Sequence, residues 1–215
     1  MDKYIAVTLV GGHKLYSMPL FFEHLLNLNI LPQELLISTT KEIFDQCMEV
    51  YTGDVPVVWV HGEEDLGNDM IASTTSAREA LRKAILERDY EWALWLDNDM
   101  LVPPDLWEKF CILRDREPEL ILVNSYHPAR QDYTDIRHGM ATTFTHRDAL
   151  AGFPFIRAEV RGNHYGDDQI WLHVIRSYRS RRGTKTLTGK LFDVKHMVED
   201  GRIKSFKPEH RDELV

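Results

Sequence analysis

The chain has 215 residues, 43% of them hydrophobic and 28% charged, which suits one soluble globular core and argues against a fibrous or disordered protein. Asp plus Glu outnumber Lys plus Arg by 34 to 26, a formal net charge of −8 that speaks against a general binder of duplex nucleic acid. A local basic patch can still hold a phosphorylated ligand. No apolar run reaches membrane-spanning length, and Met1-Asp2-Lys3 leads into a short strand and not into a secretory leader, so no transmembrane segment and a cytoplasmic location are expected. Cys47 and Cys111 each sit in an apolar helical pattern and read as buried free thiols.

In chain order, Tyr4 to Val10 is a β-rich run closed by Gly11-Gly12, a pair that permits a tight turn near a ligand. Leu15 to Leu28 repeats apolar residues at helical spacing, with Pro19 tolerated in the first turn. Leu35 to Thr39 is a second strand, Lys41 to Tyr51 a helix, and Val57 to Val60 a third strand. Met70 to Arg88 reads as a longer helix whose wet face carries Arg78, Glu79, Arg82 and Lys83. The next run, Trp92-Ala93-Leu94-Trp95-Leu96, drives straight into Asp97-Asn98-Asp99. Pro103-Pro104-Asp105 opens a helix to about Arg116, and Leu120 to Asn124 is a fifth strand. Met140 to Thr145 reads as a short strand, Arg147 to Leu150 as helix, Gln169 to Tyr178 as a helix capped by Asp167 or Asp168, and Leu187 to Val194 as a last strand. After His196 a mixture of acids and bases reads as a surface tail.

The first hundred residues thus spell β-α-β-α-β-α-β, which implies an α/β fold with a mostly parallel sheet sandwiched by helices. Ligands of such sheets sit beyond the carboxyl ends of the strands, at a topological switch point. Asp97 and Asp99 lie at such an end. Strand alternation would put both carboxylates on one side, where their repulsion calls for a cation; a divalent metal carrying substrate phosphates answers that need.

The ordered set of motifs resembles the GT-A fold glycosyltransferases, and within them the family-2-like transferases that use nucleotide sugars. Ser76-Ala77-Arg78-Glu79-Ala80-Leu81 leading to the Asp97-Asn98-Asp99 strand is similar to that family's Ala-Arg-Asn helix and Asp-x-Asp strand. The Pro103-Pro104-Asp105-Leu106 helix follows as it does there. Gly139 through Gly152-Phe153 looks like the segment before the acceptor site, and Gly166-Asp167-Asp168-Gln169 like the acidic pair that supplies the base. The resemblance implies a single GT-A-like, Rossmann-like domain over 1–215: a nucleotide-binding half at about 1–100, an acceptor half at about 101–196, and a tail at 197–215. It implies a Mn²⁺ or Mg²⁺ ion on Asp99 with Asp97 holding metal-bound water or the ribose, His196 as a further ligand, and Asp168 as the general base of an inverting transfer, with Asp167 in reserve. Gly11, Thr39, Asp69, Arg78 and Asp97 are the candidate contacts of the nucleotide-sugar donor, and the acceptor is a carbohydrate or other hydroxyl.

The sequence departs from the family where an acid normally follows the second strand to read the base: here Ile37 is followed by Ser38-Thr39-Thr40-Lys41. Asp65 or Asp69 can take over part of that role. Other readings stay open. A haloacid-dehalogenase-type phosphatase also uses Asp-x-Asp, but no Lys occurs between Ser125 and Asp167 where it needs one. A nucleotidyltransferase of related fold begins with a glycine-rich basic loop, which Gly11-Gly12-His13-Lys14 echoes faintly. A non-catalytic nucleotide-sugar or carbohydrate-binding module is the remaining alternative.

Overall fold

Strands and helices alternate through the first half of the chain in the computed structural model, which describes residues 4–62, 70–116, 121–124, 142–156, 158–160, 163–165, 171, 186–189, 194–197 and 203–204. Strand β1 (Tyr4–Leu9) is followed by a 3-10 helix (Gly12–Ser17), α1 (Met18–Leu26), β2 (Leu35–Thr39), α2 (Lys41–Glu49), β3 (Val57–His61), α3 (Met70–Leu86) and β4 (Trp92–Leu96). Then come β5 (Met100–Leu101), α4 (Leu106–Arg116), β6 (Ile121–Asn124), β7 (Thr142–His146) and α5 (Arg147–Gly152). The short strands β8 (Ala158–Val160), β9 (Asn163–Tyr165), β10 (Thr186–Gly189), β11 (Lys195–Met197) and β12 (Ile203–Lys204) complete the described elements.

The central sheet runs in the order β10-β6-β7-β4-β1-β2-β3, with β7 antiparallel to both neighbours and every other pair parallel. The chain steps outward from β1 through β2 to β3, then returns to the other side of β1 to lay down β4. That reversal makes the carboxyl ends of β1 and β4 the switch point of the sheet. Residues of β1, β2 and β4 are buried almost throughout, because helices cover both faces of the sheet. Their sequences accordingly do not alternate: β4 is apolar throughout, and β1 and β2 are apolar except for Thr8, Ser38 and Thr39, which are buried with the rest.

Alternation along the strands divides the core in two. On one face Tyr4, Leu35, Trp92 and Phe144 pack with Phe21 of α1 and Trp107 and Phe110 of α4. Tyr4 stacks on Trp107 with ring centroids 4.1 Å apart, and Phe110 on Phe144 at 4.0 Å. On the other face Ile5, Val7, Leu36 and Trp95 meet Leu81 and Ile85 of α3 and Leu150 of α5. Each of these side chains, once fully buried, contributes about 1.5–3 kcal/mol. The indole of Trp95 donates to Thr145 Oγ1 at 2.9 Å, so its one polar atom is satisfied inside the core.

Three details differ from the pattern read along the sequence. The helix expected from Leu15 begins only at Met18, because the carbonyl of Lys14 accepts from the Ser17 hydroxyl at 2.8 Å while the Met18 amide turns to Leu15. The wet face expected of α3 is in part an interface: Arg82 donates to both carboxylate oxygens of Glu79 and to the Leu150 carbonyl of α5, and Glu79 also accepts the Phe155 amide at 3.0 Å. Finally, Met197 is buried within β11, where polar flanking residues had suggested a surface tail. Cys47 is buried, with its thiol pushed up to about 11 by burial; Cys111 is half-buried, and neither is in a disulfide. Among the described residues no helix is long and apolar enough to cross a membrane.

Candidate active site

Leu96 is the last residue of β4, and the acids that follow lie on a tight turn: the Met100 amide donates back to the Asp97 carbonyl at 2.9 Å. Extended-strand alternation therefore does not continue past Leu96, and the expectation that it would align Asp97 with Asp99 is corrected by this hydrogen bond. The acids are brought to one cation nonetheless. Lys14 Nζ lies 2.7 Å from Asp99 Oδ2, and the negative charge of Asp97 acts on the same ammonium. Burial alone would pull the lysine pKa down, but Asp97 and Asp99 outweigh it and hold it above the usual lysine range. The Asp99 side chain is 7% exposed, so the pair is shielded from most of the screening that weakens surface ion pairs.

Asn98, between the two acids, fixes the turn. It is 1% exposed, and its side-chain amide donates to the Lys14 carbonyl at 3.1 Å and to the Ser17 hydroxyl at 2.9 Å. The acidic turn after β4 and the 3-10 helix after β1 are thereby locked together at the switch point. A second strap comes from the far end of the chain. β11 pairs with β5, placing His196 opposite Met100, and the Met197 amide donates to the Asp99 carbonyl at 2.8 Å. The backbone of His196 thus runs beside the acidic turn.

The donor candidates distribute along the same edge. Gly11 bridges β1 and the 3-10 helix in extended conformation, and a Cβ there would stand 2.8 Å from the His13 ring folded back over it. Thr39 is buried at the end of β2, and its hydroxyl donates to the Val10 carbonyl at 2.7 Å, which ties the ends of β1 and β2 together. Its carbonyl accepts the Trp59 indole at 2.9 Å. Arg78 is buried, not a surface residue, and follows Ala77, which lies against Gly62: a Cβ on Gly62 would come within 3.7 Å of Ala77 Cβ and 3.1 Å of Ser38 Oγ. That contact sets the middle of α3 against the carboxyl ends of β2 and β3. The Ser38 hydroxyl is buried without a hydrogen-bond partner among the described residues. Asp69, Asp167 and Asp168 fall outside the described residues, as do Asp65 and the side chain of His196.

Two site residues are not among those expected for the donor or the metal: Lys14, which enters only through the Gly11-Gly12-His13-Lys14 echo of a nucleotidyltransferase loop, and Asn98. The signal for Lys14 was a cation on the turn leaving the first strand, at the sheet edge where the acids also end. The donor set present, two carboxylates with hard oxygen atoms, fits Mg²⁺ or Mn²⁺, which bind through one or two carboxylates and keep their other positions for water and substrate phosphate. Among the described residues no group of three or more His, Cys, Asp or Glu is gathered in one place.

No protein-family model matches this sequence, and no curated protein matches it. Solved structures do. Staphylococcus aureus TarS superposes with a TM-score of 0.55 at 12% identity over 80% of this chain and 33% of that one. Its 1–349 fragment gives 0.58 at 13% over 80% of this chain and 55% of the other, and the same fragment in complex with UDP-GlcNAc gives 0.56 at 13% over 79% and 52%. The chain therefore spans between about a third and about half of the structures it matches. With a mostly parallel sheet, helices on both faces and the acidic turn at its switch point, the chain has the GT-A glycosyltransferase fold.

Proposed function

We propose that the protein is a metal-dependent glycosyltransferase that moves a sugar from a nucleoside-diphosphate sugar to an acceptor hydroxyl. The observation that carries this reading is the pinned Asp97-Asn98-Asp99 turn at the switch point between β1 and β4, with Asp99 buried and both acids acting on one cation. A fold neighbour solved with UDP-GlcNAc supports a nucleotide sugar as the donor.

Asp99 and Asp97 offer the oxygen atoms for Mn²⁺ or Mg²⁺. The ion, when bound, supplies positive charge to the departing diphosphate. Asn98 and the β11 strap keep the two carboxylates from relaxing apart, and His196 is the candidate further ligand beside them. Asp168, assigned from its motif, takes the proton of the acceptor hydroxyl, with Asp167 in reserve. The acceptor oxygen then bonds to the anomeric carbon from the face opposite the leaving group, the sugar–phosphate bond breaks, and the nucleoside diphosphate leaves with its electron pair. Inversion follows from that single displacement.

The test is a thermal-shift and turnover screen of UDP-, GDP- and dTDP-sugars with and without Mn²⁺. Stabilisation that requires both nucleotide sugar and metal, with turnover abolished by Asp99→Asn and Asp168→Asn, is the expected result; indifference to the whole panel overturns it. Lys14 on a glycine-started turn favours one second reading, nucleotidyl transfer, which would release pyrophosphate when a nucleoside triphosphate and a sugar phosphate are supplied in place of the nucleotide sugar.

A further inference from the structure

Lys14 stands out because its placement is so strongly specified. Its carbonyl receives two hydrogen bonds, from Ser17 Oγ at 2.8 Å and from Asn98 Nδ2 at 3.1 Å, and its backbone amide donates to Gly11 at 2.9 Å. The residue's backbone is therefore fixed at the carboxyl edge of β1, while its ammonium sits on Asp99 with about a third of the side chain open to solvent. An ammonium on a flexible four-carbon stem can move between oxygen partners without any backbone change. A nucleoside diphosphate held at this switch point presents phosphate oxygens beside the same carboxylate. Lys14 is thus placed to serve two anions in turn.

We propose that Lys14 is the donor-positioning residue of this site: its ammonium neutralises Asp99 in the donor-free protein and transfers to the diphosphate of the nucleotide sugar when the donor binds. The inference rests on the glycosyltransferase reading, since it needs a diphosphate at the switch point. Two opposite effects follow from one side chain. Before the donor arrives, Lys14 competes with any divalent cation for Asp99, so removing it strengthens the binding of free metal. Once the donor is present, Lys14 contributes a charge-assisted hydrogen bond to phosphate, so removing it weakens donor binding. Such bonds are typically worth about tenfold or more in affinity.

The experiment compares the wild-type chain with Lys14→Met and Lys14→Arg. Mn²⁺ affinity is read by electron paramagnetic resonance in the absence of nucleotide, and UDP affinity by calorimetry at saturating Mn²⁺. Lys14→Met is expected to bind Mn²⁺ alone several-fold more tightly and to gain more thermal stability from it than wild type does. The same variant is expected to bind UDP about tenfold more weakly. Lys14→Arg is expected to restore UDP binding, which a merely structural lysine would not require. Unchanged or weaker Mn²⁺ binding by Lys14→Met, or undiminished UDP binding, overturns the proposal while leaving the glycosyltransferase reading intact. Failure of the wild-type chain itself to bind any nucleoside diphosphate with Mn²⁺ overturns both.

Discussion

The backbone amide of Met197 donates to the backbone carbonyl of Asp99 at 2.8 Å, which joins β11 to the acidic turn after β4. Met197 is also buried, so substitutions there act on packing as well as on this hydrogen bond. Met197→Leu keeps the amide and most of the packing and should leave stability and transfer close to wild type. Met197→Pro removes the donor and should cost about 1–3 kcal/mol in stability, together with at least tenfold in transfer rate. Urea denaturation and initial-rate assays on the two variants separate these outcomes; equal behaviour would show that the strap is dispensable.

Asn98 gives a sharper test of the site geometry, because its side-chain amide is buried and aimed at two acceptors of the 3-10 helix. Asn98→Ala should lose about 1–3 kcal/mol by leaving a buried carbonyl short of a partner. Asn98→Asp should do worse at neutral pH, since it turns a donor into an acceptor facing the Lys14 carbonyl and adds a third negative charge to the turn. The difference between the two variants should shrink in acid, where the new carboxyl is protonated and can donate. Denaturation midpoints at pH 7 and pH 4 measure it.

The fold was legible in the sequence because burial on both faces of the sheet leaves a local signature. Trp92–Leu96 is an unbroken apolar run, Leu35, Leu36 and Ile37 open β2 in the same way, and the helices between them repeat at their own period. Asp97 and Asp99 were legible for the same reason, as charge set abruptly at the end of such a run. Lys14 was not, because spacing along a chain says nothing of distance between the ends of two strands that crossovers bring side by side. The turn at Asn98 also escaped, since the hydrogen bond from Met100 to Asp97 leaves no mark in residue type. Met197 escaped because a strand of three residues in polar surroundings has too few positions to show a period.

At the opposite end of β4 from the acids, Arg147 closes the carboxyl end of α3. Its guanidinium donates to the Leu86 carbonyl at 2.7 Å and to the Arg88 carbonyl, and its own amide bonds to Glu91. The Leu86 carbonyl is one that a helix end leaves without an intrahelical partner, and the Arg88 and Glu91 carbonyls belong to the connection from α3 to β4. Arg147→Met should lower stability by about 1–2 kcal/mol, and Arg147→Lys by roughly half as much. Donor and metal affinity should not change in either variant, and a shift in UDP affinity measured on the folded protein would contradict the separation of the two ends of the sheet.

Glu34 offers a prediction in pH. Its carboxylate accepts from Arg88 Nε at 2.9 Å and from the Tyr90 hydroxyl at 2.8 Å, linking the approach to β2 with the approach to β4. Partial burial works to raise its pKa, but the bonds from Arg88 and Tyr90 and the charge of Arg88 outweigh it and hold the carboxyl below its ordinary value. A carboxylate depressed on folding contributes stability that is fully present above its unfolded pKa, near about 4.3, and is lost as pH falls through the lower folded value. Glu34→Gln keeps the shape and an acceptor for Tyr90 but cannot titrate. Wild type should therefore exceed the variant by about 0.5–1 kcal/mol above pH 5, a modest figure because solvent reaches the pair. The gap should close as the pH is lowered toward 3. Urea midpoints collected from pH 3 to 7 measure it directly, and a gap that stays constant across that range would mean that the ion pair with Arg88 adds nothing to the folded state.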